Sequence, residues 1–343
     1  MHLLNTLYVT TPESRLRLDN DTLRVELEEE TRLRVPLHHL QSVVCFGHVS
    51  LSTPLMHKLA ESGIALVLLN TNGRFMARLE GAVSGNVLLR QAQHRLGTDD
   101  APRALALARA IVAGKLKNQR QVLLRGSREA KAEDDRAPLE RAAQDLAASQ
   151  RALHAADTLD TLRGIEGEAA RTYFEVHKHL LRADRREAFT MNGRSRRPPR
   201  DRMNALMSFL YAMWMNDCRS ACEAAGLDAQ VGFLHALRPG RAALALDLLE
   251  EFRPFADRLA LSLVNRSQLD EDDFDAREGG AVALRDDARK AVVVAFQERK
   301  QETLTHTLLA EPLALGLVPL VQARLLARCV RGETEGYLPF TTK

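Results

Sequence analysis

The apolar period of this chain changes once, near residue 81, and that change restricts the fold more than any other feature. Before it, SRLRLDNDTLRVELEEETRLRVPL (14–37) alternates apolar and polar residues, the period of strands with one buried face. Asn20-Asp21 and Glu28 to Thr31 are its turn candidates. SVVCFGHVSL (42–51) continues the strand pattern, and PLMHKLAESG (54–63) reads as a short helix stopped by Gly63. IALVLLN (64–70) is a short buried strand, which Thr71-Asn72-Gly73 turns into RFMARLE (74–80). GAVSGN (81–86) is the linker candidate. Beyond it Ala, Leu, Arg and Glu dominate, and helical periods follow one another to about residue 331. Within that half, Ala132 to Ser149 reads as an exposed helical hairpin and GETEGYLPFTTK (332–343) as an extended end. The expected fold is α+β in two domains: a small β-rich N-terminal domain, 1–82, and a larger all-α domain, 83–343. A chain of 343 residues is long enough for two cores.

Composition narrows the partners. The formal charge is only +3, but its distribution is uneven. From Arg103 to Lys131 eight basic residues face one acid, and from Arg182 to Arg202 eight arginines face three acids. Basic clusters in a near-neutral chain suggest a polyanion, although solvated helix faces carry such charge too. Cys45, Cys218, Cys222 and Cys329 form no CxxC pair, which argues against a structural zinc site. The N-terminal stretch lacks the pattern of a signal peptide, and no apolar run reaches the length of a membrane span. The reading is cytoplasmic, with reduced thiols. No P-loop, GxGxxG or GxSxG occurs.

Two stretches carry the candidate chemistry. In GIEGEAARTYFEVHKHLL (164–181) the helical stripe running from Glu166 passes through Ala169, Ala170, Tyr173 and Phe174. Glu166 is therefore in register with an apolar face, while Glu168 points to water. A carboxylate on such a face must be paired, hydrogen-bonded or bound to metal. Gly164 and Gly167 beside it allow close approach by a backbone or a ligand. In GFLHALRPGRAALALDLLEEFRP (232–254), His235 precedes a turn, and Asp247, Glu250 and Glu251 share one face of the next helix. Alone, three such acids read more often as a solvated surface, and a lone histidine as a satisfied boundary residue. Together with Glu166 and the arginine-rich segment they point to an oxygen and nitrogen shell suited to Mn²⁺ or Mg²⁺. Beside phosphate-binding arginines that shell suits metal-dependent phosphodiester chemistry. Spacing does not separate the three acids.

Five pieces occur in order: GIEGEAARTYF (164–174), RRPPRDRMNALMSFLY (196–211), GFLH (232–235), LALDLLEEFRP (244–254) and YLPF (337–340), with AGKLKNQRQVLL (113–124) ahead of them. In these the chain resembles the CRISPR-associated integrases, the larger of the two near-universal proteins of spacer acquisition. The resemblance implies a β-rich N-terminal domain, an α-helical catalytic domain and a divalent metal, Mg²⁺ or Mn²⁺. By motif its ligands are Glu166, His235 and Glu250, with Asp247 an auxiliary acid at the site rim and Glu251 facing solvent. The implied reaction is transesterification, joining the 3′-hydroxyl ends of short DNA duplexes to the repeat borders of a CRISPR array. Lys115, Lys117, Arg120, Arg182, Arg185, Arg186, Arg194, Arg196 and Arg197 are the candidates for contacts to the DNA backbone. Also implied are a homodimer formed through the N-terminal domain and a small ferredoxin-like adaptation subunit completing a heterohexamer-type complex. Two rivals use the same residues differently. A metal-dependent nuclease would cut without joining, and a non-catalytic scaffold would bind DNA through the basic clusters alone.

Overall fold

The computed structural model describes residues 6–71, 75–79, 81, 87–195 and 197–342. Two compact units divide the chain, one of residues 1–84 with 285–301, the other of 85–284 with 302–343. Gly81 apart, the expected linker lies outside the described residues, as do Asn72 and Gly73 of the turn expected after residue 70.

The first unit begins with β1 (Thr6–Val9), β2 (Arg15–Asp19), β3 (Thr22–Leu27) and β4 (Glu30–Pro36). It continues through β5 (Ser42–Phe46), β6 (Ser50–Leu51), α1 (Thr53–Glu61), β7 (Ala65–Leu69) and β8 (Phe75–Leu79). Two four-stranded sheets result, ordered β1-β5-β7-β8 and β4-β3-β2-β6. The alternation in the sequence is what they use: Leu16, Leu23 and Val25 turn inward to join Val43, Cys45, Leu55, Leu59 and Leu66 in one core. Asp19 pairs with Thr22, so Asn20-Asp21 is a two-residue turn with Asn20 left-handed at φ 53°. Leu27 pairs with Glu30, which leaves Glu28 and Glu29 as the second turn, at φ 51° and 69°. Two successive left-handed residues match the twist of the flanking strands, a place usually given to Asn-Gly.

The second unit is mostly helical. Its elements run α2 (Val87–Asp99), α3 (Ala101–Glu129), α4 (Glu133–Ala152), α5 (Leu159–Glu175), α6 (Arg186–Phe189), α7 (Arg202–Ala224) and α8 (Ala243–Asn265). The ribbon β9 (Phe274–Arg277) and β10 (Ala281–Leu284) follows. Helix α9 (Asp286–Gln301) belongs to the first unit, where Gln297 Nε2 donates to the Thr6 carbonyl at 3.3 Å. The chain then returns through a second ribbon, β11 (Thr303–Thr305) and β12 (Pro312–Ala314), to α10 (Val318–Val330). The fold is α+β, as expected, but the helical half also holds these two ribbons. Gly279 and Gly280, both left-handed, supply the turn of the first. Ala132 to Ser149 is no hairpin. From Glu133 on it lies in the single helix α4, with Ala132 as the N-cap, and the helix buries Leu139, Ala142, Ala143 and Leu146 on a face that packs against α3. Among the described residues no helix is long and apolar enough to cross a membrane.

Helix α8 lies at the centre, packed by α3, α7 and α10. It is buried on every side: Leu244, Leu248, Phe252 and Leu263, but also Asp247, Glu250, Glu251, Arg253 and Asp257. Trp214 of α7 stacks on Phe252 with ring centroids 5.1 Å apart, and Phe340 of the tail stacks on Phe255 at 5.4 Å. Five charged residues on a buried helix must each find a partner, because a bare buried charge costs several kcal/mol. Those partners build the site.

Candidate active site

Asp247 builds the first part. Its Oδ2 accepts from the backbone N–H of Phe233 at 2.6 Å and of Leu234 at 3.0 Å. Its Oδ1 accepts from the N–H of His235 at 2.9 Å and lies 2.7 Å from His235 Nδ1. One carboxylate thus holds the whole GFLH turn. Gly232 is required there, since a Cβ would stand 2.7 Å from both Asp247 Oδ2 and the Ala243 carbonyl carbon. Arg163 of α5 ties down the same turn, donating from Nε and Nη2 to the Leu234 carbonyl at 3.0 and 2.6 Å. With Nδ1–H directed at the carboxylate, the imidazole keeps the lone pair of Nε2 free. That nitrogen stands 3.8 Å from Glu250 Oε1.

Glu250, one turn further along α8, is held between two cations. Its Oε1 accepts from Arg253 Nε at 2.8 Å, and its Oε2 lies 2.6 Å from the Lys115 ammonium. Burial works to raise the Glu250 pKa, but Arg253, Lys115 and His235 outweigh it and hold the carboxyl well below the usual range. Lys115, on α3, also donates to Glu166 Oε1 on α5. Burial works to lower the lysine's pKa, yet Glu250 and Glu166 together keep it raised. The Arg253 guanidinium lies over the Tyr211 ring, 4.7 Å from its centroid. Pro254 adds a backbone effect, because it lacks the N–H that would otherwise bond the Glu250 carbonyl.

Three of the residues picked from the sequence therefore gather in one place. Glu166 and Glu250 flank one ammonium, and His235 Nε2 stands beside Glu250. Glu166 and His235 open toward solvent, with side chains 26% and 21% exposed. Glu168 is exposed and pairs with Arg171, as its register implied. Beside Glu166, a Cβ on Gly164 or Gly167 would meet open space. Among the described residues, no three His, Cys, Asp or Glu side chains stand close enough to hold a metal ion as placed. Two carboxylates and an imidazole nitrogen nevertheless suit Mg²⁺ or Mn²⁺. Among the described residues the buried Oε2 of Glu250 meets only the Lys115 ammonium. The residues fit a divalent cation wherever the ammonium gives way.

Two expectations fail. Glu251 does not face solvent. It is fully buried, accepting from Tyr337 Oη and the Phe340 N–H, both at 2.6 Å, and from Gln322 Nε2 at 3.1 Å. Asp247 is not at a rim either, but is fully buried as the anchor of the GFLH turn. Both errors have one cause: tail and turn pack onto α8 from sides that helical spacing alone leaves open.

The basic candidates scatter. Lys115 is buried inside the site. Lys117, Arg182 and Arg197 are exposed, and Arg196 lies outside the described residues. Arg120 donates to the Ala143 carbonyl, Arg185 to Asp270 and Ser267, Arg186 to Asp135, and Arg194 to Asn204. The sequence reading passed over Arg163 and Arg253, and over Asp257, which receives the hydroxyls of Tyr173 at 3.1 Å and Tyr211 at 2.5 Å. A signal for Lys115 was present: it continues the buried stripe Leu107 and Ile111 at intervals of four.

Residues 7–298 match the family model described as CRISPR associated protein Cas1. The chain belongs to the Cas1 family. It is 55% identical over 342 residues to the CRISPR-associated endonuclease Cas1 1 of Moorella thermoacetica, covering 99% of each chain. It is 46% identical to the CRISPR-associated endonuclease Cas1 1 of Chlorobaculum tepidum, covering 98% of each. Among solved structures, a chain of a Cas6-RT-Cas1–Cas2 complex superimposes with a TM-score of 0.84 at 25% identity. That match covers 99% of this Cas1 chain and 36% of the other.

Proposed function

We propose that this chain is a metal-dependent DNA endonuclease and integrase of CRISPR adaptation, joining the 3′-hydroxyl ends of short DNA duplexes to the repeat borders of an array. The observation that carries this reading is the meeting of Glu166, His235 and Glu250 from three separate segments, with the imidazole oriented by Asp247. A bound Mg²⁺ or Mn²⁺ would polarise a phosphoryl oxygen and activate the attacking hydroxyl. Glu166 and Glu250 would hold it through carboxylate oxygens and His235 through Nε2. Asp247, by accepting from Nδ1, selects the tautomer of the neutral ring whose Nε2 can serve as a ligand, and Arg163 keeps the histidine turn from drifting. Arg253 fixes Oε1 of Glu250, which directs Oε2 toward Glu166 and Lys115. One phosphodiester replaces another, so no nucleotide hydrolysis is needed.

The exposed Lys117 and Arg197 are the best placed of the basic candidates for phosphate contacts, which carry affinity without sequence information, while the exposed Arg182 is engaged by Asp184 and the Asn265 carbonyl. The likeness to CRISPR-associated endonucleases supports endonuclease chemistry, and the likeness to a chain of a Cas1–Cas2 complex supports a partner subunit, here taken as small and ferredoxin-like. The reading places the protein in the cytoplasm, as a homodimer formed through its β-rich domain, 1–82, with catalysis in 83–343.

The test mixes the full chain and its small partner with a labelled duplex and a supercoiled plasmid carrying leader and repeat. Label is expected in relaxed plasmid with Mn²⁺, and none with EDTA or with Glu166→Gln. Nicking without joining would reduce the reading to a nuclease. DNA binding with neither product would leave only a scaffold.

A further inference from the structure

The inference drawn here rests on the metal-site reading and concerns Lys115. Its ammonium lies between Glu166 and Glu250, hydrogen-bonded to the first and 2.6 Å from Oε2 of the second. Oε1 of Glu250 is already taken by Arg253. Among the described residues Oε2 has no other partner, so an ammonium and a divalent cation would compete for the same lone pairs. We propose that Lys115 is the resident counter-ion of the metal-free site, expelled when the divalent cation binds, so that it sets the threshold for metal occupancy.

Of the two cations on Glu250, the geometry says which one moves. Arg253 is a rigid fork, held by Glu250 and by the face of Tyr211. Lys115 is a point charge on a flexible four-carbon stem with freely rotating donors. Its helix is pinned at the same turn. A Cβ on Gly114 would stand 2.6 Å from Pro339 Cβ, so the tail packs directly onto the α3 backbone. Next door, Asn118 donates to the carbonyls of Glu251 and Phe340 at 3.0 and 2.9 Å. Movement is therefore confined to the lysine side chain. That side chain is 6% exposed, whereas Glu166 beside it is 26% exposed, so the way out leads past Glu166. Without a cation between them Glu250 would keep only Arg253, and its buried Oε2 would face Glu166 with no positive charge beside it, which is costly.

The experiment is an electron paramagnetic resonance titration of Mn²⁺ into the full chain, as wild type, Lys115→Met and Lys115→Gln, with thermal unfolding in EDTA and in Mn²⁺. Both variants are expected to bind Mn²⁺ at least ~10-fold more tightly than wild type, because no ion pair has to be broken. Both should also lose stability in EDTA and regain it with Mn²⁺, a larger gain than wild type shows. Equal or weaker Mn²⁺ binding in variants that unfold cooperatively would overturn the role given to Lys115 and leave the metal site standing. If no form binds Mn²⁺ in a manner abolished by Glu166→Gln, the metal-site reading falls and this inference falls with it.

Discussion

Asp247→Asn changes one oxygen to an NH₂ group, and the site sets its cost. Two carboxylate oxygens receive four donors: the N–H groups of Phe233, Leu234 and His235, and His235 Nδ1–H. An asparagine offers one oxygen and turns two hydrogens toward the remaining donors. Two buried donors lose their acceptor, at about 1–3 kcal/mol each, so the substitution should cost about 4 kcal/mol. At about 2–4 °C per kcal/mol this is a fall in Tm of roughly 8–16 °C by calorimetry in EDTA. Nitrogen-15 spectra should show His235 as the Nδ1–H tautomer in wild type and as a mixture in the variant. The affinity for Mn²⁺ should drop about 10–100-fold, the usual effect of losing the group that orients a ligand histidine. A Tm within ~3 °C of wild type, with the tautomer retained, would refute the reasoning. It would mean that Arg163 and local packing hold the turn without the carboxylate.

Three further outcomes follow from other residues of the second unit. Burial pushes Glu251 up to about 8, against about 4.3 for an unfolded glutamate. A raised carboxyl stabilises the fold fully below about 4.3, and its contribution is lost as pH rises through about 8. Denaturant midpoints of wild type should therefore fall between pH 5 and 8, and Glu251→Gln should flatten that slope. Phe340→Ala removes a fully buried ring stacked on Phe252 and Phe255, and should cost about 3–5 kcal/mol in chemical unfolding. Removing Lys117 and Arg197 together should weaken DNA binding equally for unrelated sequences and reduce its salt slope by roughly 2, read by fluorescence anisotropy at several salt concentrations.

How much of this was legible depends on the range of the interaction. The strands of the first unit could be read because each uses a local alternation, and the turns between β2 and β3 and between β3 and β4 fall within the expected positions. The return of α9 to the first unit has no local mark, since nothing in the period of the helix itself says which unit it packs on. The ribbons β9-β10 and β11-β12 are too short for period to reveal, their strands having only three or four residues. Glu166 was legible because a charge on an apolar stripe is a conflict visible within one helix. The same argument applied to Lys115, whose stripe through Leu107 and Ile111 is equally apolar. Its basic neighbours made it look like part of a surface cluster.

The acids of α8 show why spacing failed where it did. Asp247, Glu250 and Glu251 lie on one arc of the helix, and period alone gives that arc to water. In the structure each meets a different element: Asp247 the GFLH turn, Glu250 the helix carrying Lys115, Glu251 the C-terminal tail. Asp257, further along, meets two tyrosines. These partners lie between 12 and 135 residues away, so nothing within the helix could distinguish them. The helix is amphipathic in composition but not in environment. Its charged arc is a second core, satisfied by ion pairs and hydrogen bonds instead of apolar packing. Such an arc places carboxylates with little freedom to move, because each is bound by groups that are themselves fixed. For Glu250 the exception is the flexible lysine on Oε2, and that oxygen is where a divalent cation would have to enter.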